Sequence, residues 1–135
     1  MRMVLFAMLL SFSMGFDCRT DHGEVRPQIV GGMLTFGFGP SGWRTKSPSV
    51  NRISVFELDQ RQRGRTVCSV NRLTRVGTVE LAAWRYGERI EGFDLQGCGP
   101  LEIGRNYGVT VSGSYGSGVA FFVLERTGSV RKLGP

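Results

Sequence analysis

The chain is nearly without histidine: His22 is the only one in 135 residues. Its three cysteines, Cys18, Cys68 and Cys98, stand far apart, with none of the close Cys or His spacing of a metal site. Lysine is scarce too, with Lys46 and Lys132 against fifteen arginines among the 17 basic residues. Those arginines are scattered. The densest basic run, "RQRGR" (61–65), holds three charges and reads as a solvated hairpin tip; a nucleic-acid stripe wants a longer patch with stacking aromatics. No nucleic-acid partner is expected. Proline occurs five times and there is no collagen repeat. After the first fifteen residues no apolar run approaches the roughly 20 residues a membrane helix needs, so no membrane span is expected.

Glycine is abundant, 20 in 135, and dispersed between short apolar runs. Many turns joining short segments fit an all-β chain of one domain. The N-terminus, "MRMVLFAMLLSFSMG", sets one arginine before an apolar run and ends in small residues. Ser13 and Gly15 sit at −3 and −1 of a cut before Phe16. That is a secretory signal pattern. It predicts residues 1–15 as signal, 16–27 as polar tail or linker, and 28–135 as the folded domain. Export places the cysteines in an oxidising compartment. Cys68 and Cys98 both lie inside the domain, so a bridge between them is expected. Cys18 follows Asp17, with Gly15 at −3, a poor match to a lipid-attachment motif. Anchoring through Cys18 is therefore disfavoured but kept as an alternative.

Along the domain, "QIVGGMLTFGFG" (28–39) reads as a first strand broken by glycines, and "PSGWRTKSPS" (40–49) as a loop. "VNRISVFEL" (50–58) is β-branched and partly alternating, and "RTVCSV" (65–70) is its hairpin partner. "TVELAAWRYGERI" (78–90) carries helical spacing, but Gly87 stops the run early and its neighbours are strand-like, so 78–86 is assigned to a strand. "GRNYGVTVSG" (104–113) alternates cleanly, with Tyr107, Val109 and Val111 on one face. "SYGSG" (114–118) is a turn. "VAFFVLE" (119–125) is apolar on both faces, as a central or doubly covered strand would be. "RTGSVRKL" adds at most a short last strand.

The stretch "PLEIGRNYGVTV" (100–111) resembles the corner of fibronectin type III and related immunoglobulin-like sandwiches. There a leucine and a turn glycine precede a tyrosine and then alternating valines. Leu101, Gly104, Tyr107, Val109 and Val111 occupy those places. The resemblance implies a sandwich of about seven strands. It also implies a buried Tyr107 whose hydroxyl bonds a backbone group upstream, between Pro100 and Gly104. The antibody disulfide does not carry over, since Val109 stands two residues after the tyrosine. More widely, the order "TVC", "WRYGE", "EGF", "C", "PLEIGRNYGVTVSG", "SGVAFFV" resembles small exported bacterial proteins of uncharacterised role. That implies a β-sandwich outside the cytoplasm and nothing about chemistry.

Chemistry is weakly signalled. "GFGPSG" (37–42) has the spacing of a phosphate loop, but no helical pattern follows it, so no cofactor is expected. The only histidine lies in the tail, and Glu88, Glu91 and Asp94 read as a solvated turn around glycines; no catalysis is expected. The binding reading rests on "GWRTK" (42–46), where Trp43 stands beside Arg44 and Lys46 on a loop, a combination that interfaces favour. "WRYGER" (84–89) sets aromatics beside arginines in the same way at a strand end, but there Trp84 and Tyr86 are read as core, with the arginine stems covering them. The expected function is a noncatalytic exported module that binds a protein or cell-envelope component. The alternatives are a structural envelope protein and, last, a small enzyme.

Overall fold

The computed structural model describes residues 23–39, 42–43, 48–114 and 116–134. The proposed signal, Cys18, His22, Arg44, Lys46 and Tyr115 lie outside the described residues. Within them the chain forms nine strands and no helix: β1 Val25–Val30, β2 Met33–Phe38, β3 Val50–Asp59, β4 Gln62–Arg72, β5 Ala83–Arg85, β6 Phe93–Gly97, β7 Asn106–Gly113, β8 Gly116–Leu124 and β9 Val130–Leu133. They make two antiparallel sheets, β1-β2-β5 and β6-β4-β3-β7-β8-β9, packed as an immunoglobulin-like sandwich. Seven strands were expected; the larger sheet carries β6 and β9 on its two edges.

Alternation decides which side chains meet. In β3, Ile53 stands opposite Val70 of β4 and Val111 of β7, and Val55 opposite Cys68 and Val109. All six are buried, so the larger sheet turns a β-branched layer inward. The smaller sheet answers with aromatics. Phe36 stacks on Trp84 with ring centroids 5.8 Å apart, and meets Phe122 of the opposite sheet edge-on at 5.4 Å. Phe122 in turn lies 5.8 Å from Tyr107.

Several boundaries move. The stretch 28–39 is a hairpin, not one strand: Gly31 and Gly32 both take positive φ and turn the chain between β1 and β2. β1 begins at Val25, inside the stretch read as tail, because Val25 is buried in the core. The strand assigned to 78–86 shrinks to β5, which pairs with β2 over three residues, from Thr35 opposite Arg85 to Gly37 opposite Ala83. Glu80 makes only an isolated bridge to Ser49.

Cys68 and Cys98 are joined, with Cα atoms 4.2 Å apart. The bridge fastens the edge strand β6 to β4, where Cys68 faces Gly97. With its cysteines 30 positions apart in sequence, such a link stabilises by roughly 3–4 kcal/mol through the unfolded chain.

The turn before β7 gathers Leu101, Gly104 and Tyr107. Leu101 is half-buried against the core and the Gly104 N–H donates to the Leu124 carbonyl at 2.9 Å. Tyr107 is buried, and its hydroxyl accepts the Glu102 N–H at 2.8 Å. Removing the hydroxyl leaves that N–H short of a partner in a partly buried place. Tyr107→Phe should therefore lose about 1–2 kcal/mol in denaturant melts. Tyr107→Ala, which also opens a cavity beside Phe122, should lose about 3–5 kcal/mol.

Candidate functional site

The aromatic read as a docking residue turns inward. Trp43 is 9% exposed and belongs to the core. Its indole Nε1 donates to the Glu24 carbonyl at 3.2 Å, and its ring covers Gly23 so closely that a Cβ there would sit 2.0 Å from it. The ring thus pins the start of the domain and offers a partner nothing. Arg44 and Lys46 lie outside the described residues. Trp84 and Tyr86 are core, as expected: Trp84 is buried with its Nε1–H donating to the Glu88 carbonyl at 3.0 Å, and Tyr86 packs edge-on against it, its hydroxyl donating to the Gly99 carbonyl at 2.7 Å. Burial, helped by the nearby Tyr107, pushes the Tyr86 phenol up from 10.0 to about 12.

Among the described residues the largest charge cluster centres on Glu57. Glu57 ends the inward row of β3 and is nearly buried. Its Oε1 accepts from Arg65 at 3.1 Å and its Oε2 from Arg105 at 3.2 Å. Arg105 also reaches Glu102 at 3.3 Å and lies 3.9 Å from Asp59. Glu57, chiefly, raises the Arg105 pKa further, which keeps the guanidinium charged. Both Glu57 oxygens are paired, so the cluster ties β3, β4 and the tyrosine turn together.

The outward face of the larger sheet is different. Across it runs a row in register: Thr66, Phe56, Gly108, Phe121 and Leu133, on β4, β3, β7, β8 and β9. Phe56 lies flat over Gly108, where a Cβ would come within 2.3 Å of the ring; only glycine allows it. Arg63 caps the other side of that ring, its guanidinium carbon 4.5 Å from the centroid. Beside this row, Leu58, Arg61, Asn106, Phe121, Leu133 and Gly134 line a groove of about 280 Å³. Val119, farther along β8, is 43% exposed. β8 is an interior strand, as one of its two expected readings has it; on its outward face Val123 is buried and Phe121 half-buried, so only part of that apolar row is open.

Arg61 reaches this groove from a costly backbone position. The β3–β4 turn holds Gln60 at φ 48° and Arg61 at φ 67°. Two positive φ values at the centre of a two-residue hairpin favour Asn-Gly or Gly-Gly. The same chain uses Gly31 and Gly32 at the equivalent place between β1 and β2. Side chains in the left-handed region cost roughly 1–2 kcal/mol per residue. Strain of this kind, where glycine would serve, points to a use for the side chain. A second, more polar groove of about 330 Å³ lies on the same face, lined by Arg52, Thr66, Val67, Cys68, Ser69, Gln96 and Gly97.

Sequence reasoning passed over Phe56, Leu58, Phe121 and Leu133. The signal was present: in "VFEL" and "AFFVL" apolar residues fall on both parities of the strand, and a single core can absorb only one.

Two measurements follow from this geometry. Tyr86 has a folded pKa above its ordinary value, so its contribution to stability is full below about pH 10 and is lost as pH rises through about 12. The stability difference between wild type and Tyr86→Phe should be flat at neutral pH and shrink across that window; a difference constant to pH 12 would contradict the burial. Arg61→Gly should raise stability by about 1–2 kcal/mol, read from the urea midpoint, because it relieves a left-handed arginine.

No family model matches this chain, and no curated protein and no solved structure is similar to it.

Proposed function

We propose that the protein is a noncatalytic, exported β-sandwich module that binds a protein or cell-envelope component through the outward face of its larger sheet. One observation carries this: Arg61 is held in a strained turn at the rim of an open apolar groove, where glycine would fold more easily. Export is supported by the N-terminal pattern and agrees with the Cys68–Cys98 disulfide, since such bridges persist in oxidising compartments. Among the described residues no helix is long and apolar enough to cross a membrane. The resemblance to small exported bacterial proteins points the same way. The inner face supports the same choice: among the described residues its aromatic rings pack on one another and Glu57 is paired through both oxygens.

Expression with the native N-terminus tests the first half of the reading. Intact-mass analysis of protein recovered outside the cytoplasm should show a chain beginning at Phe16 with the Cys68–Cys98 bridge formed. A chain that keeps Met1 contradicts export. Saturable binding to isolated envelope, absent from an unrelated sandwich domain, tests the second half.

A further inference from the structure

We infer that the groove between the β3–β4 turn and β9 takes an anionic amphiphile: an acyl chain along Leu58, Phe121 and Leu133, with its anionic head on Arg61. This rests on the binding-module reading and names its ligand class.

The lining decides the chemistry. Leu58, Phe121 and Leu133 are half-buried, so each keeps apolar surface open to the groove. The volume, about 280 Å³, falls just below the roughly 300–1,000 Å³ that encloses a drug-sized ligand. It suits one chain segment lying along the sheet better than a fused ring system. β3, β7 and β8 are interior strands of the sheet, and their backbone N–H and C=O groups are already used in the ladders. The floor over those three strands therefore offers no main-chain bonds to an extended peptide, whereas a hydrocarbon chain asks for none; β9, on the sheet edge, supplies only Leu133 and Gly134 to the lining.

The rim decides the charge. Arg61 is exposed and forms no ion pair with another described residue. Arg63, opposite Leu58 across the hairpin, lies over Phe56 and adds a second cation on the same side. The neighbouring acids are directed elsewhere: Glu57 to Arg65 and Arg105, Asp59 toward Arg105 at 3.9 Å, Glu125 to Arg131 at 2.6 Å. Two guanidiniums with no acidic partner among the described residues, beside an apolar floor, attract a carboxylate or phosphate head and repel an ammonium. The strained turn then has a purpose: it holds one of those guanidiniums at the groove mouth.

Calorimetric titration of the exported, disulfide-bonded protein with decanoate, butyrate and decyltrimethylammonium tests the inference. Decanoate should fill one site. Butyrate, with the head but not the chain, and decyltrimethylammonium, with the chain but not the head, should each bind at least about tenfold more weakly. Arg61→Gly should lose about tenfold in decanoate affinity while its unfolding midpoint stays level or rises, so the loss is not misfolding. Arg61→Lys should retain most of the affinity. Equal binding of the cationic amphiphile, or undiminished binding by Arg61→Gly, overturns the inference. If decanoate fails while the protein still binds isolated envelope saturably, this ligand class falls and the binding module stands; if neither binds, both fall.

Discussion

The contact between Phe36 and Phe122 holds the molecule together. Each ring is fully buried, each comes from a different sheet, and their centroids lie 5.4 Å apart. Around this pair the rest of the core assembles, with Trp84 stacked on Phe36 and Tyr107 on Phe122. A buried phenylalanine is worth about 1.5–3 kcal/mol in area alone, and an aromatic pair adds about 0.5–1.5 kcal/mol. The three-stranded sheet is small, and β5 pairs over only three residues, so it depends on this bridge to stay on its partner.

Tyr107 links the core to the surface chemistry. Its ring is the last aromatic of the column, and its hydroxyl fixes the Glu102 backbone. From Glu102 a side chain reaches Arg105, and Arg105 reaches Glu57 on β3. Glu57 and Leu58 are neighbours on β3, one in the ion cluster and the other lining the groove. The turn carrying Arg61 thus grows from a strand end held from both sides. A groove on a rigid sheet face can hold its ligand groups in place better than one built from loops.

Much of the fold could be read from spacing. Ile53 and Val55, then Val109 and Val111, alternate because one face of each strand is core, and the structure places them so. The cysteine pair could be read because the third cysteine stood apart in the tail. What failed did so for identifiable reasons. Gly31 and Gly32 looked like breaks inside a strand because glycine signals both a bulge and a turn; only pairing decides between them. Trp43 looked like a docking residue because its neighbours are loop formers, and loop composition says nothing about which way a ring points. The groove was hidden in "VAFFVLE", where residues apolar on both faces fit an interior strand, which β8 is, and say nothing of how much of its outward row stays open. Nor does "DQRQRG" announce two left-handed residues, because Gln and Arg are not the types that positive φ selects.

We propose a division of labour: the inward faces make the fold, and the outward face of the larger sheet carries the binding. A backbone chemical-shift map of the labelled protein titrated with an envelope extract tests it directly. The account predicts that the perturbed residues cluster at Leu58 to Arg63, Asn106, Phe121 and Leu133, around the groove. Perturbations confined to β1, β2 and the Trp43 loop, with the groove silent, would contradict it.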